Sequence, residues 1–143
     1  MTLKSTRRAR LLRLRTIEHR VAKTTLATAD EAVANLARVN ARLALVRLGL
    51  AAEKGFNTGQ ALLANAEMAA RLARAAHAMV APVTDADAKR AECAALRIKA
   101  HQNEQGALKL YEAARRQEDA VRTLRADANR AHQKRITFLE HVT

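Results

Sequence analysis

The side chains that could do chemistry in this sequence are five histidines, one cysteine and a few adjacent acids. The histidines are His19, His77, His101, His132 and His141. A helical metal site announces itself as two histidines at i,i+4 around an acid, or as histidine and cysteine at short ligand spacing. No two of these histidines have that spacing, and none neighbours Cys93 in it. The spacing therefore predicts no metal site, and the rings read as solvated or seam-edge groups. Gly55 and Gly59 are not followed by the Lys-Ser/Thr of a phosphate-binding loop. Glu118-Asp119 sits among arginines, as ordinary helix-surface acids do. Cys93 falls on an apolar repeat, which suits a buried, inert thiol better than a nucleophile. The expectation is a protein with no catalytic residues, no cofactor and no small-molecule substrate.

The most informative residues are cationic: Arg7, Arg8, Arg10, Arg13 and Arg15. Positive charge at a helix N-terminus opposes the macrodipole, so the cluster asks for a reason. Either it is a solvated, fraying end, or it is a docking surface for an acidic partner. Leu11, Leu14 and Ile17 alternate with these arginines and would give that surface an apolar stripe. Arg130, Lys134 and Arg135 add charge near the other terminus. The formal net charge is +12. Residues 1–50 hold 11 Lys/Arg and 3 Asp/Glu, a net of +8, whereas residues 85–143 hold 12 and 9, a net of +3. The first part therefore faces something acidic, and the last is a balanced, ion-paired surface.

The elements that carry these residues are helices. The chain has 143 residues with Phe 2, Tyr 1, Trp 0, Gly 4 and Pro 1, and it is rich in Ala, Leu, Arg and Glu. These residues lose little rotamer freedom in a helix. Large side chains are too few for a thick interior, but alanines let two helices approach along a thin seam. Apolar residues recur at Leu11, Leu14, Ile17 and Val21, then at Ala29, Ala32, Leu36, Val39, Leu43, Val46 and Leu50. The later set alternates 3–4–3–4, the seam of a coiled coil. Thr24, Thr25 and Thr28 mark a phase step in a continuous but weaker helix.

Breaks follow. Gly49, Gly55 and Gly59 bracket a turn-prone stretch in which Thr58 is a candidate N-cap. Pro82 marks a second break, with Thr84 as the next N-cap. Stepping from Cys93 gives Leu96, Ala100, Asn103, Ala107, Leu110, Ala114, Gln117, Val121, Leu124, Ala128, Ala131, Arg135 and Phe138 as a second seam. Asn103, Gln117 and Arg135 would be polar members that fix register. Glu112–Arg116 is one of several i,i+4 pairs on the outer face.

One such helix alone is marginal in water, so the two long segments pack together. The expected fold is all-α: a long antiparallel two-helix coiled-coil hairpin with breaks near Gly55 and Pro82. It spans 1–143 as one domain, with a helix over about 6–53, a tip and short helix over about 54–82, and a helix over about 84–141. Either break could be the tip. Phe56, Leu62 and Leu63 next to the first break either close a local cluster or form an exposed contact site. A lone cysteine fits a reducing compartment. No uncharged apolar run approaches the ~18 residues of a membrane span.

The run Arg7-Arg8-Ala9-Arg10-Leu11-Leu12-Arg13-Leu14-Arg15, followed by Glu18-His19-Arg20-Val21-Ala22, resembles the N-terminal signature of the FliJ/YscO family. Over the rest of the chain the likeness is architectural: similar length, a central interruption, and an Arg-rich last helix around Ala114-Arg115-Arg116-Gln117-Glu118. The resemblance implies a cytoplasmic, non-enzymatic stalk of bacterial flagellar or virulence type III export systems, peripheral to the inner membrane through its partners. Its terminal end would enter a hexameric export ATPase, and its other end would meet the export gate protein and escort export chaperones. Arg7, Arg8, Arg10, Arg13 and Arg15, with Lys134 and Arg135, would then dock on the ATPase, while Phe56, Leu62 and Leu63 would contact the gate. The alanine content and Pro82 depart from the family pattern. The competing reading is a basic helical protein associated with nucleic acid, since net +12 suits phosphate contacts. Against it, aromatic residues for base stacking are nearly absent.

Overall fold

The computed structural model describes the backbone of residues 3–52 and 58–140, and the side chains of 5–50, 58–131 and 133. Gly55 and Phe56 lie outside these residues, as do the side chains of Lys134, Arg135 and Phe138. The protein is all-α, with no strand among the described residues: α1 is Leu3–Ala52, α2 is Gly59–Ala78 and α3 is Val80–Glu140. No helix among them is long and apolar enough to cross a membrane.

Local chemistry explains most of the boundaries. α1 runs unbroken through its threonines. The hydroxyls of Thr24, Thr25 and Thr28 each donate to the carbonyl three residues back, at 2.8–2.9 Å. That internal bond is how a helix tolerates residues that otherwise compete for its backbone. Gly49 is helical within α1, which continues to Ala52. Thr58 caps α2 as its type predicts, its side chain accepting from the Ala61 amide at 3.3 Å.

The second break is displaced. It falls on one residue, Met79, and Pro82 lies in the first turn of α3. First-turn amides have no intrahelical partner, so a residue without an N–H loses little there. The chain nearly continues across the joint. The Met79 amide donates to the Ala75 carbonyl, and the Val83 amide donates to the Met79 carbonyl, both at 3.1 Å. Thr84 is therefore not an N-cap. It sits inside α3, where its hydroxyl donates to the Ala81 carbonyl at 2.8 Å.

The chain divides into two compact units. Unit 1 comprises Met1–Arg20 and Lys99–Thr143, and unit 2 comprises Val21–Ile98. In unit 1 the first turns of α1 run antiparallel to α3: Arg8 reaches Leu110, and His19 reaches Glu104. In unit 2, Arg90 of α3 reaches Asp30 of α1.

Both units have a thin interior. Among the described residues only Ala29, Ala107, Ala114 and the polar Ser5 are buried. The seams follow heptads, but half of each expected seam is displaced by one residue. In unit 2, the row Ala29, Leu36, Leu43, Leu50 is buried or half-buried as expected. Its companions are the half-buried Leu26 and Val33, whereas Ala32, Val39 and Val46 are exposed. In unit 1, Ala100, Ala107 and Ala114 line the interior with Glu104, Tyr111 and Glu118, whereas Asn103, Leu110 and Gln117 face out. Leu12, Thr16 and His19 occupy the inner face of α1, and Leu14 and Ile17 are 51% and 57% exposed. The physical reason is that rows three and four residues ahead both repeat every seven positions. Periodicity alone therefore admits either row as the companion. In unit 1 the leucines of α3 lie on one such row, but the close helix approach uses the other, where hydrogen-bonding side chains stand beside the alanines.

Candidate functional site

Unit 1 holds two features that could act on something outside the chain. The first is the outer face of α1. Arg7, Arg10, Leu14 and Ile17 follow one another at intervals of 3, 4 and 3, which puts them on one helical face. All four are exposed, and Leu11 and Arg13 flank them, also exposed. The stripe is basic at its start and apolar further on.

Of the five candidate docking arginines on α1, two are engaged within the chain. Arg8 is half-buried and donates to the Leu110 carbonyl at 3.2 Å. Arg15 pairs with Glu18 at 2.7 Å. Arg7, Arg10 and Arg13 keep their side chains at the surface.

α3 carries an exposed stretch of its own. From residue 119 to residue 131 every side chain is exposed, including Val121 and Leu124, the latter at 69%. At a rise of about 1.5 Å per residue this stretch is about 20 Å long. Arg8 opens onto a shallow groove whose other walls include Arg115, Arg122, Arg125, Glu118 and Asp119. Mixed charge, rather than one continuous basic stripe, lines that groove.

The second feature lies on the inner face. His19 Nδ1 and Glu104 Oε2 are 2.7 Å apart, and the His19 and His101 rings are 5.0 Å apart between centroids. The Thr16 hydroxyl, then the His19 ring, hold the Glu104 carboxyl below the usual carboxylate range. Hydrogen bonds to the charged form have that effect. His19 Nε2 is buried and has no hydrogen-bond partner among the described residues. Reading the sequence missed this cluster because its parts lie 85 residues apart in the chain. The local trace was His101 and Glu104 at i,i+3, which share a helix face.

Near the start of α2, Leu62 and Leu63 are exposed. Phe56, grouped with them by sequence, lies outside the described residues. Cys93 is half-buried and free. No protein-family model, curated protein or solved structure matches this chain.

Proposed function

We propose that this chain is a non-enzymatic stalk of a bacterial type III protein export apparatus, as its resemblance to the FliJ/YscO family implies. In this reading the whole chain is one long antiparallel coiled-coil hairpin, cytoplasmic and held at the inner membrane through partners. Unit 1 docks into the hexameric export ATPase. Leu62 and Leu63, with Phe56, meet the export gate.

The observation that carries the reading is the outer face of α1 in unit 1, where exposed Arg7, Arg10 and Arg13 border exposed Leu11, Leu14 and Ile17. A face of that kind suits an acidic partner surface with an apolar centre. Positive charges would steer the encounter and apolar area would hold the complex. The exposed stretch of α3 over residues 119–131 supports the same reading, because a lone amphipathic helix in water lacks the packing that normally stabilises one. The antiparallel course of α1 and α3 in unit 1, and the Asp30–Arg90 pair in unit 2, are compatible with the hairpin.

The test is ATP hydrolysis by the cognate export ATPase with and without this protein, then with Arg7, Arg10 and Arg13 changed to glutamate. Stimulation that the triple reversal abolishes, with helicity unchanged, is the expected result. Absence of binding and stimulation at low salt overturns the reading. Salt-dependent DNA or RNA binding by the same protein would then put the nucleic-acid alternative first.

A further inference from the structure

We propose that His19, His101 and Glu104 form a binding site for a zinc-class divalent metal ion that ties α1 to α3 within unit 1. The inference rests on the inner-face cluster and does not depend on the docking reading.

The donor set has the right chemistry. Two imidazoles and one carboxylate suit zinc and its first-row neighbours. Magnesium and calcium need more oxygen ligands than this cluster supplies. Three protein ligands leave the fourth tetrahedral position to water, an arrangement zinc commonly takes.

The placement is also right. His101 and Glu104 stand one helical turn apart on α3, and His19 faces them from α1. One ring nitrogen from each histidine and one carboxylate oxygen lie within 4.8 Å of one another. In tetrahedral zinc, bonds of ~2.0–2.1 Å put neighbouring donor atoms about 3.4 Å apart. Closing the site therefore asks for side-chain movements of about an ångström. His101 is exposed, so its ring is free to make the largest of them.

The cluster is also incomplete as an ordinary hydrogen-bond network. Glu104 has Thr16 and His19 as partners. His19 Nε2, by contrast, is buried and unpartnered among the described residues, which is costly for a polar atom. The described side chains leave that ring's bonding capacity unfilled.

A metal here would act as a staple. It would join residues 85 positions apart in a seam whose most buried members on α3, Ala107 and Ala114, are small. Binding to the folded state alone raises stability by mass action.

The experiment uses the full chain, stripped with chelator and dialysed free of it. Zinc chloride is titrated by calorimetry, and thermal unfolding is followed by circular dichroism with zinc, with magnesium and with neither. One equivalent of zinc should bind with a Kd on the order of micromolar or tighter. Zinc should raise Tm, and magnesium should leave it unchanged. His101→Ala, at an exposed position, and Glu104→Gln should each weaken binding by at least about tenfold. Cys93→Ser should leave binding unchanged. Cobalt in place of zinc should give visible d–d absorption without a thiolate charge-transfer band. No saturable zinc binding overturns the proposal. So does binding that survives His101→Ala and Glu104→Gln, since the ion would then sit elsewhere.

Discussion

His19 and Glu104 meet at 2.7 Å across the α1–α3 seam of unit 1, on a level with the exposed ring of His101. The contact joins two half-buried side chains, each of which would otherwise keep a polar group partly desolvated. Removing either partner therefore exposes the other to the cost of an unmet hydrogen bond. In metal-free buffer, His19→Ala and Glu104→Ala should each lower Tm. The double variant should lose less than the sum of the single losses. Strict additivity in this cycle would show that the pair is not energetically coupled.

The seam register makes a sharper prediction. Ala107 and Ala114 are each only 4% exposed, whereas Leu110 between them is 51% exposed. Enlarging either alanine to leucine forces bulk into a close helix approach and should cost about 1–3 kcal/mol. Leu110→Ala removes little buried area and should stay within about 0.5 kcal/mol. Urea unfolding of the three variants reads this directly. A larger loss for Leu110→Ala than for Ala107→Leu would restore the row that includes Leu96, Leu110 and Leu124.

Two glycines sit inside helices with open space around them. A Cβ added at Gly49 or Gly106 meets nothing within 4 Å. Glycine in a helix interior costs about 1 kcal/mol relative to alanine, through backbone entropy. Gly49→Ala and Gly106→Ala should each stabilise the protein by about 0.5–1 kcal/mol, measured by urea unfolding. A loss of stability in either would mean that the added methyl meets an obstacle.

The ion pair of unit 2 should matter little. Arg90 donates to Asp30, but both side chains are about half exposed. Pairs of this kind contribute little and are screened by salt. Asp30→Asn should shift Tm by no more than about two degrees at low salt and by less in roughly 0.5 M salt. A large, salt-independent drop would mark Asp30 as structurally essential.

Limited proteolysis tests the exposed stretch of α3. Among the described residues of α3, trypsin at low ratio should cut after Arg122, Arg125 or Arg130 before the other sites, because every side chain from 119 to 131 is exposed. First cuts after Arg97 or Lys99 would contradict that order. In the stalk reading, the ATPase should protect the same bonds.

Helix type was legible in the sequence because it depends on local preferences that repeat over many residues. The cap at Thr58 was legible for the same reason, since a hydroxyl at that position satisfies an amide three residues on. Seam register was legible only by half. The row through Ala100, Ala107 and Ala114 stands out, but a companion three or four residues ahead keeps the same period. Leucines at 96, 110 and 124 weigh more in hydrophobicity than Glu104, Tyr111 and Glu118 do. Only the approach of the second helix decides between them. Pro82 misled by type, because its effect depends on whether it lies in the first turn or the interior of a helix. The His19–His101–Glu104 cluster was not legible, because no spacing along one strand of sequence encodes a meeting between two helices.

The alanine seam of unit 1 has a mechanical consequence. Bulky side chains on facing helices interlock like cogs and resist axial slip. Methyl groups offer shallow teeth, so at Ala100, Ala107 and Ala114 resistance to a shift of one heptad, about 10 Å, falls to the larger side chains beside them, Glu104, Tyr111 and Glu118. Within unit 1, polar contacts that resist such a slip include the His19–Glu104 contact, the Thr16–Glu104 hydrogen bond and the Arg8 hydrogen bond to the Leu110 carbonyl. Load applied along α3 would pass to α1 partly through these directional bonds, which fail at a fixed stretch, and not through packing alone.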